Sequence, residues 1–146
     1  MDWKIVAIEK LQQYEAKKQA LELIPQQIAD VESRMTNIRS GSYISPVSGG
    51  KSTGKEDALL DCIVLKENLE LFLEETQRWL DIVDSGLSVL NWQHKLCLER
   101  LYIHKEKNAA ERLCDELGVR DVRTVYKMRD QAVRLFTISQ YGFTER

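Results

Sequence analysis

The stretch Ala110-Glu111-Arg112-Leu113-Cys114-Asp115-Glu116-Leu117-Gly118-Val119-Arg120-Asp121-Val122-Arg123-Thr124-Val125-Tyr126-Lys127 decides how this chain is read. Ala110, Leu113, Cys114 and Leu117 recur at helical spacing, and Gly118 then supplies the residue type suited to a left-handed helix C-cap. A second amphipathic run follows within a few residues, with Val122, Val125, Met128/Arg129, Ala132 and Leu135/Phe136 on one face. Helices are expected at 109–117 and from about Val122 to Ser139. Two helices joined by a glycine turn have the form of a helix-turn-helix, whose second helix enters the major groove of DNA.

Upstream, Asn91 is a good N-cap for a helix with Leu96, Cys97, Leu101, Tyr102 and Ile103 on its apolar face. Asn108 followed by Glu111 reads as a capping-box-like start for the helix at 109. These three helices are expected to share one compact core, with the small Cys114 and Ala132 where helices approach closely.

The remainder reads as two long helices. Apolar residues from Ile5 to Ile38 keep a helical period, with Pro25 expected to kink or break the run. A second apolar stripe runs from about Lys55 to Asp84, and Ser85-Gly86 is expected to end it. Between them, residues 39–54 are rich in Gly and Ser and read as a flexible loop. Gly49-Gly50-Lys51-Ser52-Thr53 within it lacks the first glycine and the preceding strand of a phosphate-binding loop. The expected class is therefore all-α: an antiparallel helical hairpin over 1–86 and a three-helix helix-turn-helix domain over 87–146. The hairpin's apolar stripes are wide for a two-helix contact, so the excess is expected to go against the C-terminal domain or a second copy, and a homodimer through the N-terminal helices is favoured because paired helix-turn-helix modules select half-sites.

Charge divides the chain in the same place. Residues 1–90 hold 10 Lys/Arg against 15 Asp/Glu, whereas residues 91–146 hold 11 against 8, so a polyanion would meet the C-terminal part. A cation cluster alone fits a solvated helix face, but the turn glycine and the crowding of cations at a helix start favour DNA. Arg120 and Arg123 can pair bidentately with guanine, Thr124 can meet a thymine methyl or a phosphate, and Lys127 suits phosphates. Tyr126 can touch the DNA backbone or pack inward, and Lys105, Lys107 and Arg134 are expected as flanking phosphate contacts.

Other chemistry is not indicated. His94 and His104 lack partners at catalytic or metal spacing and are expected exposed or capping. Cys62, Cys97 and Cys114 are expected as buried free thiols, and Trp3, Trp79 and Trp92 as packing anchors. No enzymatic activity, cofactor or metal is expected. No apolar run reaches the ~20 residues of a membrane span and the N-terminus lacks the layout of a signal peptide, so a cytoplasmic protein is expected.

Over about residues 87–142 the chain resembles the promoter-reading domain of bacterial sigma factors, and more closely the phage and prophage transcription regulators of the ArpU/RinA-like kind. The resemblance is carried by Leu96 to Ile103, Ala110 to Leu117 with Gly118-Val119, Arg123 to Lys127, Arg129 to Ala132, and Tyr141-Gly142. It implies a protein of a bacterial host cell, a DNA-reading role for Arg120, Arg123, Thr124 and Lys127, and activation of late phage genes. Two rivals stand beside it. One is a DNA-packaging adaptor resembling small terminase subunits, and the other is a protein-interaction module that contacts RNA polymerase or another partner and in which the cations are incidental.

Overall fold

The computed structural model describes residues 1–41 and 53–146. Residues 42–52 lie outside it, and with them most of the expected loop and the Gly49–Ser52 segment. The described residues are helical, with no strand among them: α1 (Trp3–Arg39), α2 (Thr53–Ser88), α3 (Trp92–Leu98) continued by a π-helical turn (Glu99–Ile103), α4 (Ala109–Leu117) and α5 (Val122–Tyr141). A lone antiparallel bridge joins Asp2 to Glu145. None of these helices is long and apolar enough to cross a membrane.

The chain divides into two compact units, one formed by 1–18 with 78–146 and the other by 19–77. The division differs from the boundary expected at residue 86, because the start of α1 and the end of α2 bury their apolar residues with the C-terminal helices. In that first unit, Ala7 and Leu11 of α1 meet Val83 and Leu87 of α2, Leu98 and Ile103, and Ala132, Val133 and Phe136 of α5. In the second, Ile24, Val31, Met35 and Ile38 pack with Cys62 and Leu69. Lys66 adds an ion pair to Glu32 at 3.2 Å.

Three local expectations are corrected and a fourth is narrowed. Of the kink or break expected at Pro25, the break does not occur: helix α1 runs through Pro25, which faces solvent while Ile24 is buried beside it. An interior proline costs about 3 kcal/mol, and the buried rows before and after it outweigh that cost. Gly86 does not end α2. It is a packing position, where an added Cβ would meet Gln140, Ser139 Oγ at 2.8 Å and the Phe136 ring at 3.0 Å. Replacing it by valine is expected to destabilise the protein by roughly 1–3 kcal/mol through overpacking. The Phe136 ring is fully buried, and Gln140 would lose its 2.9 Å bond to the Ile82 carbonyl. Chemical denaturation of Gly86→Val against the parent measures this.

Asn108 precedes α4 but makes no side-chain cap, because its backbone is left-handed (φ 58°) and turns the amide away from the helix amides. Trp92, expected as an anchor, is 61% exposed, whereas Trp3 stacks on Tyr141 with centroids 5.0 Å apart. The other expected punctuation is present. Asn91 accepts from the His94 amide at 2.8 Å, and Gly118 closes α4 at φ 69°.

The π-helical turn had no counterpart in the sequence reading. Its widened i→i+5 pattern, with the His104 amide bonded to the Glu99 carbonyl at 2.8 Å, puts Leu98 and Ile103 into the same core although they are five residues apart. Leu101, on the other side, joins Cys97 in the core beneath α4. All three cysteines are free thiols; Cys62 and Cys97 are buried and Cys114 is half-buried. Burial pushes the Cys97 thiol pKa up.

Candidate nucleic-acid interface

Helices α4 and α5 pack over a small core of Cys97, Ala110, Leu113 and Val125, ringed by Leu96, Leu101, Cys114, Leu117, Val119, Val122 and Met128. The three-helix core read from the sequence is thus present for its first half. Ala132 and Phe136 instead join the larger core with α1 and α2, and Leu135 stays 46% exposed. Helix α5 therefore has two parts with different work. Its C-terminal half anchors the helix, and its N-terminal half is carried forward on α4.

The turn between them is short and tightly specified. The Val119 amide donates to the Cys114 carbonyl at 3.0 Å, which the left-handed Gly118 permits. Val119 then tucks its side chain against the core, and Asp121 opens α5 as a true N-cap with extended backbone (φ −123°, ψ 133°). Its Oδ1 accepts from the Arg123 amide and its carbonyl from the Thr124 amide, both at 3.0 Å. An aspartate just before an apolar-periodic run is the signal that identifies its cap role. Asp121→Ala is expected to cost about 0.5–2 kcal/mol of stability, with Asp121→Asn retaining most of it, as urea unfolding can show.

That geometry leaves Arg120, Arg123, Tyr126 and Lys127 exposed around the head of α5, with Thr124 half-buried between them. Arg123, Lys127 and Arg134 fall on one face of the helix by its 3.6-residue period. Arg134 sits about 16 Å further along than Arg123, on the rim of a groove with Asp2, Ile5, Tyr102 and Asp130. Lys105 and Lys107 are exposed in the loop before α4. Helix α4, about 13 Å long, separates that loop in the chain from the Gly118 turn. The structure thus gathers five of the eight expected residues at the head of α5, sets Arg134 farther along that helix, and leaves Lys105 and Lys107 exposed on the loop whose Glu106 is joined through Arg100 to the end of α4.

The cations of this region sort into two kinds. Arg100 Nη1 donates to both carboxylate oxygens of Glu106, at 2.9 and 3.2 Å, and Nη2 lies 3.4 Å from Glu116, which ties the π-helical turn to the following loop and to the end of α4. The hydrogen bond from Arg100 is the main reason the Glu106 carboxyl sits below its ordinary pKa. Arg129 bonds Asp130 at 2.9 Å, and its guanidinium lies 4.8 Å from the Tyr126 ring centroid. Arg100 thus joins separate segments, whereas Arg129 is engaged within α5 itself by the next residue and by Tyr126. Among the described residues, no ion pair engages Arg120, Arg123, Lys127, Arg134, Lys105 or Lys107. Tyr126 takes the outward alternative, partly covered by Arg129.

The two histidines differ: His104 has a side-chain partner, whereas His94, expected exposed or capping, has a buried Nδ1 with no hydrogen-bond partner among the described residues. His104 follows the π-helical turn and places Nδ1 3.1 Å from Glu15, an ion pair whenever the imidazole is protonated. His94 is half-buried on α3. Among the described residues no three His, Cys, Asp or Glu side chains are grouped to hold a metal ion. What the head of α5 offers chemically is positive charge and hydrogen-bond donors on a rigid, capped helix.

No curated protein and no solved structure matches the chain. A family model described as protein of unknown function (DUF1492) matches residues 37–137, from the end of α1 through Thr137 of α5, and the chain belongs to that family.

Proposed function

We propose that this protein is a sequence-specific double-stranded DNA-binding regulator of transcription, acting on late phage genes. The observation that carries the reading is the contrast among cations. Arg100 and Arg129 are consumed by ion pairs, whereas Arg120, Arg123 and Lys127 stand open at the start of a helix fixed by Gly118 and Asp121. A helix presented in this way suits the major groove, with the arginines reading guanine edges and Lys127 neutralising phosphate. The resemblance of residues 87–142 to sigma-like regulators supports transcription as the process.

The test is capture of genomic fragments by the purified protein, followed by salt titration of a recovered duplex. Three to six neutralised phosphates correspond to a log–log salt slope of roughly −3 to −5. Recovery of a shared sequence with such a slope supports the proposal. Failure to retain any duplex at low salt rejects it.

A further inference from the structure

A second surface, in the unit formed by residues 19–77, has no role in DNA reading. Leu60, Val64, Leu65, Leu71 and Phe72 of α2 are each 40–58% exposed. Leu60, Val64 and Leu71 lie on one row of the helix by its period, and Leu65 and Phe72 on a second row about 100° round, with the exposed Asp61, Asn68 and Glu75 between the two. The two rows span about three turns.

Charge says what can cover it. From Glu56 to Glu75 the helix carries seven carboxylates and one cation, Lys66. That cation is turned toward Glu32 and Glu70, at 3.2 and 3.8 Å. By helical period, Asp57, Asp61 and Glu75 fall between the two apolar rows, with Glu67 on their flank, and all four are exposed. A second copy laid on these rows would bring carboxylates against carboxylates in either orientation, which costs affinity. This face is therefore unsuited to the homodimer expected from the sequence.

We infer that the outer face of α2 between Leu60 and Glu75 is a docking surface for a basic amphipathic helix of a partner protein. Leucine-type side chains of the partner cover the rows, and its lysines or arginines meet the carboxylates between and beside them. Recognition here is separate from the cations of α5.

The test uses the full chain and a labelled 18-residue helical peptide built from leucine and lysine with one apolar face. Fluorescence anisotropy is expected to show micromolar binding, at least tenfold weaker for a scrambled peptide of the same composition and absent for a leucine–glutamate analogue. The double variant Leu71→Gln/Phe72→Gln changes only exposed positions and is expected to lose binding at least tenfold, with unchanged helical circular dichroism and unchanged DNA retention. Equal binding of the scrambled peptide, or full binding by the double variant, overturns the inference. So does sedimentation showing a dimer of the parent chain that this variant dissolves.

Discussion

The variant Arg120→Glu/Arg123→Glu/Lys127→Glu is expected to lose DNA affinity by at least 100-fold while keeping its helical content and thermal midpoint. All three side chains are exposed and outside the ion pairs that engage Arg100 and Arg129. The Asp121 cap is untouched, and carboxylates near a helix N-terminus are favourable to the helix. The single change Arg123→Ala is expected to cost about 1–3 kcal/mol at a cognate site, roughly 5- to 150-fold, if its guanidinium meets a base. Lys127→Ala is expected to weaken binding to all sequences alike and to reduce the salt slope by about 0.9. Anisotropy titrations at several salt concentrations separate these cases. A triple variant that binds as the parent does removes the head of α5 from the interface.

Phe136→Ala is expected to be the most damaging single change to stability. The ring is fully buried between α5, the end of α2 and the start of α1, and it lies against Gly86. Truncating a buried phenylalanine costs about 3–5 kcal/mol, a large share of the ~5–15 kcal/mol that holds a typical domain. The thermal midpoint is expected to fall by on the order of 10 °C. Leu135→Ala, one residue away but 46% exposed, is expected to cost below about 1 kcal/mol. Calorimetry of the two variants measures which face of α5 is buried. Equal losses would contradict the packing described.

How much of this was readable in the residues depends on whether a signal was local. Gly118 is legible because glycine after an apolar-periodic run answers a backbone demand within one turn. Asn91 is legible for the same reason. Asn108 failed as a cap because its left-handed backbone follows from how the chain leaves the π-helical turn, which no neighbouring residue announces. Pro25 and Gly86 misled because propensity is a weak prior against tertiary packing. Each sits in a helix whose other positions are buried over several turns. The division of the chain was hidden because α1 and α2 each supply residues to two cores, and periodicity along one helix cannot say which partner it meets.

The site was legible in part. Arg120, Arg123 and Lys127 stand out by proximity to the expected turn, and the face that Arg123 and Lys127 share follows from the helical period alone. That Arg100 is occupied by carboxylates is not legible, since Glu116 lies sixteen residues from it and reaches it only through the fold, whereas Asp130 stands next to Arg129 in the sequence. Trp92 illustrates the converse. An aromatic residue next to a good N-cap reads as an anchor, yet it lies at the first position of α3 and remains open to solvent.

The most direct measurement is a nuclear magnetic resonance titration of the labelled protein with a duplex recovered by genomic capture. Shifts concentrated between Gly118 and Lys127, lost on raising the salt, are the predicted result. Shifts confined to α1 and α2, or an unchanged spectrum at saturating duplex, would contradict the claim that the open cations at the head of α5 receive DNA.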